Sequence, residues 1–369
     1  MRILVFGITD NPGGVESVIM NYLRHIDREK YRFDFLCNTE KVAYREEIQS
    51  LGCDIYQIPA RSRGVRQYKE AMTSFFLEHA NSYDAIWVNV CSLANIDYLI
   101  YAKKYGIPKR IIHSHNSQNM DSKLRGLLHK VNKNLIERYA TDFWACSKEA
   151  AEWFYKPSLM KRVKYIRNAI DADAYCFDEP ARQKIRSLYH LENCYVAGNI
   201  GRLHFQKNQM FLLDVFKELH RKDNNTKLVL VGNGPDLEKL QEKVSEYALQ
   251  DSVIFAGVQN NIAEWLSAMD IFVFPSLFEG LGLAGLEAQA NGIPSLVSDC
   301  IPEEMAINSN WITCSLDSSA EQWADRILEI RSSIPRLDSQ TAAANIKNSG
   351  FDILQETEKL EDLLEELPE

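Results

Sequence analysis

The sequence lacks any run of about 18 apolar residues, so no segment is expected to span a membrane. It holds eight cysteines but no C-x-x-C pair and no metal-site spacing among them. Cys37, Cys53, Cys91, Cys146, Cys176, Cys194, Cys300 and Cys314 therefore read as reduced thiols, several of them inside apolar runs such as Phe35-Leu36-Cys37. The first strand-to-helix turn, Asn11-Pro12-Gly13-Gly14-Val15-Glu16, is not G-x-G-x-x-G, and no P-loop pattern occurs anywhere, so a dinucleotide site is poorly supported there and a P-loop nucleotide site is excluded. Short-period repeats and low-complexity tracts are also missing. Met1-Arg2 leads directly into Ile3-Leu4-Val5-Phe6-Gly7 and a polar loop, so no secretory leader is expected and the cytoplasm is the expected compartment.

What is present is ordinary for a globular protein: 369 residues, 46% hydrophobic and 25% charged. That length suits two domains of roughly 150–200 residues. The net charge of −9 is unevenly spread. Residues 1–170 hold 26 Lys and Arg against 18 Asp and Glu, a balance of +8, which leaves −17 for the remainder. A basic half suggests either an anionic partner (a membrane surface, a lipid diphosphate or nucleic acid) or a charge dipole without function. Nucleic acid ranks last, because no aromatic-basic module accompanies the charge.

Short β-rich runs alternate with helical patterns along the whole chain. Strands are expected at 3–8, 33–37, 54–58, 85–90, 110–113 and 143–146, with helices at 15–25, 46–51, 66–79, 93–105 and 123–139. A second series begins after a boundary near 168–172. It has strands at 195–200, 227–231, 253–255, 271–274, 295–297 and 311–313, and helices at 209–220, 236–247, 262–269, 281–290 and 320–332. Alternation of this kind implies right-handed crossovers and mostly parallel sheets. The fold class is α/β, with two doubly wound, Rossmann-like domains. A last helix, 352–367, lies outside both series. The expected division is 1–168, 169–350 and a C-terminal segment 351–369 returning to the first domain.

Four stretches carry residues suited to chemistry. Glu279-Gly280-Leu281-Gly282-Leu283-Ala284-Gly285-Leu286-Glu287 follows a strand and opens a helix. Its glycines allow close backbone approach, and the helix start offers free N–H groups to an anion. Glu287 could accept both hydroxyls of a ribose; equally, this is a Gly-rich turn with solvated carboxylates. Gly201-Arg202-Leu203-His204-Phe205-Gln206-Lys207-Asn208 places a planar guanidinium and a point charge before a helix, which suits a diphosphate, or else two solvated cations. Asn11-Pro12-Gly13-Gly14-Val15-Glu16 is either a phosphate or sugar approach or a tight turn. In Ile112-His113-Ser114-His115-Asn116, His113 and His115 share a face while the strand lasts.

Together these residues resemble the retaining glycosyltransferases of glycosyltransferase family 4, which have the GT-B fold of two Rossmann-like domains facing an interdomain cleft. Leu230-Val231-Gly232-Asn233-Gly234-Pro235 and Phe255-Ala256-Gly257 add to the likeness. The wording around His113–Asn116 and Val297-Ser298-Asp299 looks like members that build capsule or exopolysaccharide. The resemblance implies a nucleotide-diphosphate sugar donor, UDP-linked by family frequency, a glycan or lipid-linked acceptor, and retention of anomeric configuration. It makes His115, Arg202, Lys207 and Glu279 the catalytic candidates. Gly14, Arg202, Lys207, Val258, Glu279, Gly280, Leu281, Gly282, Leu283 and Glu287 are the donor-binding candidates. No metal or other cofactor is expected, the two cations taking that role. Where the family often carries Gly-Gly, this chain has Asp299-Cys300-Ile301-Pro302-Glu303-Glu304, and the roles of Glu303 and Glu304 stay open. No obvious amphipathic membrane helix is present, although Lys123, Arg125, Lys130, Lys133 and Arg138 put basic charge beside Leu124, Leu127 and Leu128; a solvated helix face is favoured over contact with an anionic membrane at its cytoplasmic side. Two rival readings are a nucleotide-sugar epimerase or hydrolase on this scaffold, and a non-enzymatic two-lobed sugar-binding protein.

Overall fold

The structure, a computed structural model, describes residues 1–117 and 123–367. The chain divides into two compact units, Met1–Asn168 with Ile353–Glu369, and Ala169–Asp352.

In the first unit seven strands form one sheet: β1 (Arg2–Phe6), β2 (Arg32–Cys37), β3 (Ile55–Gln57), β4 (Ala85–Val90), β5 (Lys109–Ser114), β6 (Asp142–Ala145) and β7 (Val163–Tyr165). Their order is β3-β2-β1-β4-β5-β6-β7 and every pairing is parallel. Strands such as Ala-Ile-Trp-Val-Asn-Val of β4 are buried at nearly every position, because helices cover both faces of a parallel sheet. The strand order reverses between β1 and β4, the kind of point at which open α/β sheets bind ligands.

The elements depart from expectation in a few places. β7 is a seventh strand beyond the six expected. The helix expected from residue 93 begins at Asp97, because the preceding residues are engaged elsewhere. Leu93 N donates to His129 Nδ1 at 3.1 Å, and Asn95 Oδ1 accepts from Asp97 N at 3.0 Å in an Asx turn. The helix expected over 123–139 is α-helical only over Lys123–Leu135 and ends in a 3-10 turn, Ile136–Arg138. Helices Lys148–Phe154, Glu179–Leu188 and Ser339–Ile346 were not expected, and each is capped by a side chain, from Ser147, Asp178 and Asp338 respectively.

The last helix, Ile353–Glu365, belongs to the first unit. Arg167 N donates to Glu356 Oε2 at 2.8 Å, and Tyr31 Oη donates to Glu365 Oε1 at 2.8 Å. The buried Lys109 ammonium donates to the carbonyls of Leu363 and Glu366 at 2.6 and 2.5 Å, satisfying the helix C-terminus. This contact corrects the charge picture. Residues 353–369 carry one lysine and seven acidic residues, so the balance of the folded unit falls from +8 to +2. Its positive charge is local, not a property of the whole unit.

The second unit holds β8 (Tyr195–Ile200), β9 (Thr226–Val231), β10 (Val253–Gly257), β11 (Ile271–Phe274), β12 (Ser295–Ser298) and β13 (Trp311–Cys314). The order is β10-β9-β8-β11-β12-β13, again parallel throughout, with the reversal between β8 and β11. Gly232, at φ +137°, brings the end of β9 so close that a Cβ there would lie 2.0 Å from the Gly201 carbonyl oxygen.

Candidate active site

The two motifs richest in charge and glycine, 201–208 and 279–287, begin just beyond β8 and β11, on either side of this reversal. Polar side chains pin them together. Buried Asn199, near the end of β8, donates to the Val273 carbonyl at 2.8 Å. Gln209 in turn donates to Asn199 Oδ1 at 3.2 Å and to the Arg202 carbonyl at 3.1 Å. Leu277 N donates to the Gln206 carbonyl at 2.8 Å, and the Gln206 amide returns a bond to the Phe278 carbonyl at 3.0 Å.

Within this frame Lys207 folds back over Gly201, where a Cβ would come 3.1 Å from its Cε. Its ammonium donates to Glu279 Oε1 at 2.7 Å and sits 4.7 Å from the centre of the Phe274 ring. The two side chains are 14% and 5% exposed. Arg202 is exposed at the mouth of the same loop and forms no ion pair among the described residues. Beyond Glu279, Gly280 and buried Leu281 lead to Gly282, the residue before helix Leu283–Ala290. No side chain caps that helix start, although Gly285 N donates to the Gly282 carbonyl at 3.0 Å; an uncapped helix start suits an anion. A Cβ at Gly282 would sit 3.2 Å from Glu279 Oε2, so the carboxylate lies folded against this turn.

Glu287 is buried on the inner side of the helix and accepts from Tyr175 Oη at 3.1 Å. Burial pushes its carboxyl up to about 7, against the opposing pull of the Tyr175 hydrogen bond and of the Lys207 charge. Val258 is exposed just after Gly257 at the end of β10, two strands from β8. Glu303 and Glu304 are exposed on a short 3-10 turn, Glu303–Met305. That turn is tied to the Glu287 helix by Gln289, whose amide donates to the Met305 carbonyl at 2.8 Å.

In the first unit, Gly14 is the first residue of helix Gly14–His25, and a Cβ there would meet no atom within 4 Å. Gly13 is different: a Cβ would fall 2.7 Å from Glu16 Oε2, a carboxylate held by the Thr9 hydroxyl. His113 lies on β5 and His115 just beyond it, with ring centres 4.1 Å apart. His113 is wholly buried and stacks on Trp87 at 6.0 Å. His115 Nε2 is 2.9 Å from Asn89 Oδ1, which makes Nε2 the donor of a neutral ring. Burial lowers both rings, His113 well below the usual range and His115 to about 4, while Asn168 pulls His115 the other way. Both are neutral at pH 7.

Sequence reasoning missed Asn89, Tyr175 and Phe274. Asn89 had a signal, a polar residue inside an apolar strand beside the histidine strand. Tyr175 and Phe274 had none, since one lies on a 3-10 turn and the other ends an apolar strand. Among the described residues, no group of three or more His, Cys, Asp or Glu side chains is arranged to hold a metal ion.

A doubly wound pair of units whose second member sets cations and glycine turns at its strand reversal describes a GT-B glycosyltransferase. The comparisons agree. The glycosyl transferases group 1 family matches residues 182–346. EpsF of Bacillus subtilis (strain 168), named as a glycosyltransferase, is 31% identical over 335 residues, covering 86% of this chain and 84% of that protein. The capsular polysaccharide biosynthesis glycosyltransferase CapH of Staphylococcus aureus is 25% identical over 366 residues, covering 96% and 95%. HepE from Anabaena, solved in complex with UDP-glucose, superposes with a TM-score of 0.83 at 18% identity and covers 99% of each chain. The chain belongs to the group 1 glycosyltransferases. No helix among the described residues is long and apolar enough to cross a membrane.

Proposed function

We propose that the protein transfers a sugar from a UDP-linked donor to a glycan or lipid-linked acceptor, with retention, in the assembly of a surface polysaccharide at the cytoplasmic face of a membrane. The observation that carries this reading is the pinned loop pair of the second unit, where Arg202, the Lys207–Glu279 pair and the uncapped start of helix Leu283–Ala290 surround one strand reversal. The name of CapH supports the pathway, and the UDP-glucose of HepE supports the base.

The donor diphosphate gains negative charge as it leaves. Lys207, held by Glu279, and the helix-start backbone are fixed before reaction and stabilise that charge without reorganising, and the exposed Arg202 adds a second cation. The bond from the anomeric carbon to the diphosphate breaks as the acceptor oxygen bonds to that carbon on the same face, the acceptor's proton passing to the departing diphosphate oxygen. Glu287 takes the ribose hydroxyls, and Glu279 with the backbone of 280–283 takes the sugar. Val258 is assigned to the base. For the first unit, His115, its Nε2–H held by Asn89, offers Nδ1 as a neutral acceptor to the substrate, and Gly14 is an unobstructed helix start for a phosphate. The cations make a divalent metal unnecessary in this reading.

A thermal-shift screen of nucleoside diphosphates and nucleotide sugars tests it, because a ligand bound only by the folded state raises stability. UDP and a UDP-sugar should raise the melting temperature by several degrees in the wild type and much less in Arg202→Ala. No shift with any nucleotide would refute the donor reading. Proton NMR of the product's anomeric signal tests retention.

A further inference from the structure

Glu287 depends on a neighbour from outside its own helix. Its Oε1 accepts from Tyr175 Oη at 3.1 Å, and no described residue donates to its Oε2. Tyr175 ends a 3-10 turn, Ala172–Tyr175, that packs against helices Ile262–Ala268, Leu283–Ala290 and Ser339–Ile346. Asn291 lies four residues beyond Glu287, on the same side of the helix, and donates to the Tyr175 carbonyl at 2.9 Å. Asn291 is itself fixed. It donates to Ser267 Oγ at 3.2 Å, and its Oδ1 accepts from Arg336, which donates to the Met269 carbonyl at 2.6 Å. Tyr175 is therefore tied twice to one helix end, by its main chain to Asn291 and by its hydroxyl to Glu287. The first bond seats the turn and would survive a change of side chain. The second needs the hydroxyl.

We propose that Tyr175 is a positioning residue for donor binding: its hydroxyl occupies Oε1 of Glu287 and so fixes the carboxylate with Oε2 left for the donor ribose. A glutamate side chain has three rotatable bonds, and one that is ordered before the ligand arrives spares that ordering from the binding step. A phenol suits the task because it donates a hydrogen bond without bringing a charge, so it does not compete with Arg202 and Lys207 for the diphosphate. The inference rests on the ribose role of Glu287 and adds the residue that aims it.

Tyr175→Phe removes the hydroxyl while keeping the ring and the main-chain bond to Asn291. Affinity of the full chain for UDP, and for 2′,3′-dideoxy-UDP, which lacks both ribose hydroxyls, is measured by isothermal titration calorimetry at pH 8, where the Glu287 carboxyl is ionised. The wild type should bind UDP at least tenfold more tightly than the dideoxy analogue. Tyr175→Phe should lose about tenfold for UDP but less than about twofold for the analogue. A merely structural loss would weaken both nucleotides alike. Glu287→Gln should also lose about tenfold for UDP, and adding Tyr175→Phe to it should cost less than about a further twofold, because the hydroxyl acts only through the carboxylate. Three results would overturn the proposal and leave the ribose role of Glu287 standing: wild-type affinity for UDP in Tyr175→Phe, an equal loss for both nucleotides, or a full additional loss on top of Glu287→Gln. Wild-type affinity for UDP in Glu287→Gln would instead remove the ribose role, and the positioning role of Tyr175 with it.

Discussion

The Lys207–Glu279 pair offers a perturbation whose effects on stability and on catalysis separate cleanly. At 2.7 Å and 14% and 5% exposure, the two charges are largely withdrawn from water. Lys207→Ala leaves the Glu279 carboxylate buried beside Phe274 without its ammonium. Removing one member of a buried pair typically costs 3–5 kcal/mol, and the open mouth of this loop argues for the low end, about 3 kcal/mol. In a unit of about 180 residues, that corresponds to a melting temperature lower by roughly 6–12 °C. The double variant Lys207→Met, Glu279→Gln removes both charges, keeps the volume, and should recover most of that loss. Turnover should behave differently. Both variants lack a cation at the departing diphosphate, so both should release UDP at a rate about a hundredfold below wild type. Calorimetry gives the first quantity and a coupled UDP-release assay the second. A Lys207→Ala protein with near wild-type turnover would refute the diphosphate role. Recovery of turnover in the double variant would refute it equally, by showing that the lysine serves only to neutralise Glu279.

Glu287 should give the unliganded protein an inverted pH response. With its carboxyl raised to about 7, the native state keeps a proton that the unfolded chain releases near pH 4.5, so stability is lost as pH rises between those values, by roughly 3 kcal/mol in all. Urea denaturation at pH 5 and pH 8 measures this loss, and Glu287→Gln should abolish it. Gly14→Ala adds a methyl group to empty space, so its melting temperature should not fall, while its donor affinity or turnover should drop at least tenfold if a phosphate approaches there. Unchanged kinetics would remove Gly14 from the site. Metal independence is checked by EDTA, which should leave the UDP-release rate intact; restoration of an EDTA-inhibited enzyme by Mg²⁺ or Mn²⁺ would contradict it.

The strand pattern was legible because parallel strands covered on both faces read as continuous apolar runs, and 195–200 and 271–274 match β8 and β11 residue for residue. The helices failed where local bonding overrode periodicity. Leu93 and Asn95 look helical by spacing, yet their backbone and side chain are spent on His129 and on an Asx turn. Glu179–Leu188 is signalled by Asp178 followed by Pro180 but carries no long apolar stripe. At the site, the type and spacing of Lys207, Glu279 and Glu287 were readable, but not which atoms pair. That Lys207 reaches Glu279 while Glu287 is left to Tyr175 depends on two loops brought side by side by the crossing from β8 to β11. No spacing within either loop encodes it. The charge of the N-terminal half misleads for the same reason, since the chain from Ile353 onward, beyond the whole second unit, packs back onto it.

The two units share one winding, yet the residues set after their reversals differ in kind. Around the ends of β1, β4 and β5 the first unit offers an open glycine, a buried asparagine and two histidines that burial keeps neutral. Beyond β8 and β11 the second offers two cations, one of them already paired, and a carboxyl that resists ionisation. If Glu287 ionised as readily as a surface carboxyl, Arg202 and Lys207 would be balanced by Glu279 and Glu287, and the empty loop pair would hold no net charge for an anion. Burial keeps Glu287 protonated at pH values below about 7 and there leaves the pair net positive. The same burial that costs the apo protein stability above pH 5 therefore keeps its anion site attractive. That trade is a property of where the helix Leu283–Ala290 is packed, not of the fold, which is why a doubly wound sheet alone would never have identified the donor side.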